Sequence, residues 1–193
     1  MARITNEATL KHVKDVAMQM VVKTGYEQAT IARIAEKANV STGYIYRHYK
    51  GKTEMIKSIY EERIQKYRQY FSDIIDQSDS VASVVRELVH ILYKNAKAKN
   101  IIYKFIFTID HQHIFEVSPS LFDISKAMCE KVYEKGWATG EIGKDVNAEM
   151  IFIVFFSVPQ KLIAKRIKET GSRDSITEED EKMVCELCMK LIR

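Results

Sequence analysis

The sequence predicts an all-α protein. An N-terminal three-helix head is joined by a long helix to a helical body, about nine helices in all. Three observations carry this. Apolar residues recur at steps of three and four along nearly the whole chain. Only two prolines and seven glycines interrupt 193 residues, which favours helices with short connections. Hydrophobic residues make up 46%, enough for a packed core and too many for a disordered chain.

Leu10, Val13, Ala17, Met20 and Val21 predict a first helix over 6–23, stopped by Gly25. A second starts at Ala29 or Thr30, with Thr30 as N-cap and Ile31, Ile34, Ala35 and Ala38 on one face. Asn39 stands where the chain must turn, and Asn tolerates a left-handed backbone. Ser41 caps a third helix over 42–49, with Ile45 facing inward, and Lys50-Gly51 breaks it. A fourth runs over 53–75 on Met55, Ile56, Ile59, Ile64, Tyr67 and Phe71. The head is read as 1–60 and the body as 61–193, the boundary falling just inside this fourth helix.

In the body, Ser80 caps a helix bearing Val81, Val84, Val85, Leu88 and Leu92. A short apolar helix covers 101–109. Ser118-Pro119 read as N-cap and first helical position of the next, with Gly136 as its stop and a turn-rich link over 138–145. Asn147 opens a helix to about 170, ended by Gly171; Pro159 inside it predicts a kink near Phe155. Thr177 and Asp180 resemble a capping box for the last helix, whose stripe is Met183, Val184, Leu187, Cys188 and Leu191.

Charge is uneven. Residues 1–60 carry ten Lys and Arg against five Asp and Glu, a net of +5, while the rest nets −1. A basic head on a neutral body suggests a polyanion partner at one end. No nucleophile elbow, P-loop or HExxH motif appears, so no catalytic residues are assigned and an enzyme is not expected. Cys185 and Cys188 form a lone CxxC without the second pair that zinc needs; they are read as core, with no metal and no cofactor. The N-terminal fifteen residues lack an apolar targeting core, and the most apolar run, 150–158, is too short to span a membrane. A cytoplasmic protein with no membrane partner is expected.

Helices two and three are joined by Asn39-Val40-Ser41 alone, the helix-turn-helix pattern. The second of the pair presents Thr42, Gly43, Tyr44, Arg47 and His48 outward. Gly43 costs about 1 kcal/mol against Ala in a helix, which makes sense where a backbone must closely approach something such as base edges. Tyr46, His48 and Lys52 can donate to phosphates. Tyr49 is read as core.

The stretch GYEQATIARIAEKANVSTGYIYRHYKGKTEMI resembles the DNA-binding head of the tetracycline-repressor (TetR) family of bacterial transcription regulators. The resemblance covers 5–60. It rests on Gly25-Tyr26, Thr30, Ile34-Ala35, Val40-Ser41, Gly43, Tyr46, Tyr49, Lys52 and Met55 together. Asn39, Tyr49 and Met55 depart from the family's usual Gly, Phe and Leu, and Gly51 stands where a capping Ser is common. The resemblance implies base contacts from Thr42, Gly43 and Tyr44, and phosphate contacts from Thr30, Ser41, Tyr46, His48 and Lys52. Arg47 matches either role. It implies a homodimeric repressor on a near-palindromic operator in double-stranded DNA, released by a small-molecule effector. A transcriptional activator of the same fold and a helical protein-interaction adaptor are the alternatives.

The resemblance also implies an effector pocket in the body. Tyr103, Phe107, Phe115, Phe122, Met128, Trp137, Phe152 and Phe156 are candidate lining, with His111 and His113 at its rim; ordinary core packing competes for each aromatic. Their density suggests a hydrophobic or aromatic effector. Phe155, Leu162, Met183, Val184, Leu187 and Leu191 are the candidate dimer seam, against a monomeric core.

Overall fold

A computed structural model describes residues 2–98, 100–112, 114–115, 118–172 and 174–193, without the side chains of 2–5, 111 and 120–122. His113, and the side chains of His111 and Phe122, lie outside the described residues. In chain order the elements are α1 (Ala2–Thr24), α2 (Ile31–Lys37), α3 (Thr42–Tyr46), α4 (Lys52–Gln77), α5 (Val81–Lys97), α6 (Ile101–His111), α7 (Pro119–Thr139), α8 (Ala148–Phe152), a π-helical turn (Ile153–Ser157), α9 (Val158–Thr170) and α10 (Glu178–Leu191). Every described element is helical, and α8, the π turn and α9 follow one another without a break.

The chain forms two compact units: residues 1–65 with 101–116, and 66–100 with 117–193. Helix α4 is continuous through the junction at 65–66. The first unit therefore takes in α6, a segment that the sequence places in the body. The reason lies on α1. Beyond the expected stripe of Val13, Ala17, Met20 and Val21, it also buries Val16 and Met18. One side of α1 meets α2, and another meets α6, which buries Phe105, Ile106 and Ile109. A helix apolar on two sides needs two partners.

The starts and stops follow local chemistry. Thr30 and Ser41 have extended backbones and accept from the amides of Arg33 and Tyr44, at 3.4 and 3.1 Å, as N-caps do. Asn39 takes φ +54° in the turn between α2 and α3, the left-handed conformation expected of it. Helix α3 is shorter than the sequence suggests. It ends at Tyr46, because the His48 and Tyr49 amides both turn back to the Ile45 carbonyl, at 3.0 Å each.

In the second unit α5 is enclosed along Val81, Val84, Val85, Leu88, Val89, Leu92, Tyr93 and Ala96, and packs on α7, α9 and α10. The expected stop at Gly136 is wrong. Helix α7 runs on to Thr139 and ends at Gly140, left-handed at φ +70°. Gly136 is glycine for another reason: a Cβ there would lie 2.4 Å from Ile142 Cδ1 and 2.9 Å from Val81 Cγ2. The Glu141 carboxylate then caps α5, accepting from the amides of Val81 and Ala82 at 2.8 and 3.0 Å. The kink expected near Phe155 takes the form of the π turn. Pro159 has no N–H to offer the Phe155 carbonyl; the Val158 amide reaches back five residues to Ile153. Thr177 and Asp180 form the expected capping box, with amide contacts of 3.1 and 2.9 Å.

The stripe on α10 has two edges. Val184 and Cys188 are fully buried, and Cys188 Sγ donates to the Val154 carbonyl at 3.3 Å. Desolvation pushes the Cys188 thiol up to about 12 and the Cys185 thiol to about 11, as apolar packing does. Met183, Leu187 and Leu191 face outward. Phe155 and Val184, expected at a dimer seam, are instead enclosed within the chain's own core at 2% and 0% exposure. They stand on the inner edges of helices whose outer edges carry the exposed residues.

Candidate nucleic-acid interface

The surface assembles from α3 and its flanks. Helix α3 buries one residue, Ile45, against α2, whose Ile31, Ile34 and Ala35 are buried in turn. So short a helix, held by one apolar anchor and a serine cap, leaves its other side chains available. Ser41, Thr42, Gly43, Arg47 and His48 are exposed, Tyr46 is 57% exposed, and Tyr44 is half-buried. Tyr49 is buried as expected, and that burial raises its phenol pKa.

Gly43 has no internal reason to be glycine. Its φ lies outside the left-handed region, and an added Cβ would meet only Ser41 Oγ, at 3.8 Å. Tyr44 is braced on three sides. The Arg47 guanidinium lies 5.2 Å from its ring centre, the His48 ring 5.1 Å away, and its hydroxyl reaches Asn6 on α1. Asn6, thirty-eight residues away, gives no sign of this role in the sequence.

Lys52 is 23% exposed at the side chain and already has protein partners. Its ammonium donates to the carbonyls of Tyr26 and Glu27 at 3.2 and 3.4 Å. Glu27 Oε2 is 3.6 Å away. Tyr26 in turn shares a hydrogen bond with Thr53 at 3.0 Å. Thr30, also expected at phosphate, is exposed at the cap of α2.

The matched pattern runs along most of the head. Residues 14–59 match the model of the bacterial regulatory proteins, tetR family, N-terminal domain. Residues 14–59 are thus a tetR-family segment. Among relatives, YvkB of Bacillus subtilis (strain 168), an HTH-type transcriptional regulator, is 34% identical over 83 residues, 43% of this chain and 41% of its own. The alignment thus spans about two fifths of that relative. Solved structures extend the likeness of fold to nearly the full length. A TetR family transcription regulator from Marinobacter aquaeolei VT8 aligns at TM-score 0.76 and 14% identity, covering 98% of both chains. The regulator FadR from Bacillus subtilis, in complex with stearoyl-CoA, aligns at TM-score 0.75 and 15% identity, over 95% of this chain and 99% of its own.

The candidate pocket residues divide between the two units. Tyr103 and Phe107 stack 6.3 Å apart on α6, and Phe115 meets Tyr26 edge-on at 5.5 Å, all in the first unit. In the second unit Phe156 contacts Phe71 at 5.3 Å and Phe152 at 5.2 Å. Met128 is buried, while Trp137 is 53% exposed on α7, stacked with Tyr133. Phe71, buried against Phe156, was read from sequence only as part of a helix stripe. A cavity of about 110 Å³ lies beside Tyr93, Ile163 and Ile176, rimmed by Arg166 and Asp180, and none of the expected pocket residues lines it.

Proposed function

We propose that this chain is a DNA-binding transcriptional regulator, acting as a homodimeric repressor on a near-palindromic operator. The observation that carries it is the exposed face of α3. Thr42, Gly43, Tyr46, Arg47 and His48 are exposed around Tyr44, on the basic third of the chain, and Ile45 is the buried residue of the helix. Thr42, Gly43 and Tyr44 serve base edges in the major groove; Thr30, Ser41, Tyr46, His48 and Lys52 serve phosphates, and Arg47 reaches either. The family membership of the head supports this.

Two such heads reading one operator must sit about one helical turn apart, ~34–36 Å. The exposed apolar rows favour a second copy as partner: Met183, Leu187 and Leu191 on α10, and Met150, Phe152 and Ile153 on α8 and the π turn. Leu162 is half-buried beside them on α9. A hydrophobic effector, with an acyl thioester as the first compound to try, would bind the DNA-incompetent state more tightly and so release the operator.

Selection from a random duplex pool, followed by titration across salt, tests the reading. Enrichment of a two-fold-symmetric site whose affinity falls steeply with salt is expected. Recovery of no site, or binding indifferent to salt, overturns it. Leu187→Glu with Leu191→Glu should give a monomer by light scattering, with operator affinity lost.

A further inference from the structure

The Tyr44 hydroxyl has one proton, and the protein already uses it. The Tyr44 Oη lies 2.8 Å from Asn6 Oδ1 and 3.1 Å from the Asn6 carbonyl oxygen. A backbone carbonyl can only accept, so the phenolic proton points at Asn6 whichever way the carboxamide is turned. Arg47 and His48 flank the ring, and Ile45, next in sequence, is fully buried and holds the backbone in place. What the Tyr44 oxygen offers outward is lone-pair density alone.

We infer that Asn6 makes Tyr44 an acceptor-only reader, so that at one position per half-site the protein selects a base carrying an exocyclic amine. In the major groove adenine N6 and cytosine N4 are the donors; guanine O6 and N7 and thymine O4 are acceptors. An oxygen with no proton to give bonds the first pair and is repelled by the second. The discrimination is amino against keto on the contacted strand, rather than one base against three. Asn6 is a positioning residue here, acting through the hydroxyl it orients. The hydrogen bond is exposed in the free protein, where water competes; at a dehydrated DNA interface it tightens. This rests on the DNA-binding reading above and refines the part that Tyr44 plays in it.

The test compares the full-length protein with its Tyr44→Phe and Asn6→Ala variants on duplexes from the selection experiment, substituted at each half-site position. The wild type should prefer adenine or cytosine over guanine and thymine at one position by about fivefold. Tyr44→Phe should lose affinity for the amino duplexes until the preference is within about twofold. Asn6→Ala should reach the same flat preference by gaining affinity for the keto duplexes, because the freed hydroxyl can donate. Loss of packing alone would not produce that gain. Replacing the contacted adenine by a purine without the 6-amino group should cost the wild type about fivefold and Tyr44→Phe nothing. If the wild type selects a site but shows no amino preference, or both variants keep it, the inference is wrong and the function stands. If the wild type selects no site, the function itself falls. If Asn6→Ala fails to fold by circular dichroism, Tyr44→Phe and the purine analogue still decide.

Discussion

The Lys52 ammonium lies 4.0 Å from the centre of the Tyr26 ring and bonds the Tyr26 carbonyl oxygen at 3.2 Å. The residue proposed to meet phosphate therefore also closes the α1–α2 turn onto the start of α4. Phe115 packs edge-on against the same ring. One cation thus has a structural use in the free protein and an electrostatic use on DNA.

Removing it should show both. Lys52→Ala should weaken binding to every duplex alike and flatten the slope of log affinity on log salt by about one. It should also lower head stability by about 1 kcal/mol, from the lost cation–π contact and carbonyl bonds. Lys52→Arg should restore the slope. Anisotropy titrations at several salt concentrations, beside thermal melting, check this; an unchanged slope takes Lys52 off the phosphate list.

Gly43→Ala separates folding from recognition. An added methyl meets nothing closer than Ser41 Oγ at 3.8 Å. Helix propensity then favours alanine by up to about 1 kcal/mol. The variant should fold as well as the parent or better, yet lose about tenfold in operator affinity where the methyl meets the groove. Undiminished affinity would mean that α3 does not approach DNA at this point.

At Gly136 the opposite holds. An alanine Cβ would sit 2.4 Å from both Cγ1 and Cδ1 of Ile142. Gly136→Ala should destabilise the chain by about 1–3 kcal/mol, although alanine is the better helix former. Adding Ile142→Ala should recover part of the loss by making room. Urea unfolding of the single and double variants measures both, and a neutral Gly136→Ala contradicts the packing.

Asp180 links acid to the stability of the second unit. The hydrogen bond from Arg166 holds its carboxyl below the ordinary range; burial opposes this, and the Thr177 amide and hydroxyl reinforce it. Because the folded value is depressed, this contribution is complete above the unfolded value, about 3.9. It is lost as pH falls through the lower folded value. Glu141 acts in the same direction: burial raises its pKa, but Thr139 and the Val81 and Ala82 amides prevail. Asp180→Asn should cost about 1 kcal/mol at pH 7, and its gap from the parent should begin to narrow only below about pH 4 and go on narrowing as urea melts are taken at lower pH. A gap constant with pH would sink the assignment.

Much of the head was legible because its signals are local. Thr30, Ser41 and Asn39 act on amides or dihedrals within three residues of themselves, so capping and turn chemistry identify them in the one-dimensional text. Gly136 misled for the same reason. As a local signal it reads as a helix stop, whereas its smallness answers Ile142 and Val81, which the chain brings there by folding.

By itself, the sequence determined the helical class, most helix starts, the basic head and the residues α3 turns outward, since periodicity, caps and charge are properties of neighbours in the chain. The tertiary structure alone decided that α6 joins the head, that Phe155 and Val184 face inward while Leu187 and Leu191 do not, and that the Tyr44 hydroxyl donates to Asn6. Each of these depends on which of two apolar or polar faces meets a partner dozens of residues away. A single helix's pattern is compatible with either choice until the other helices are in place.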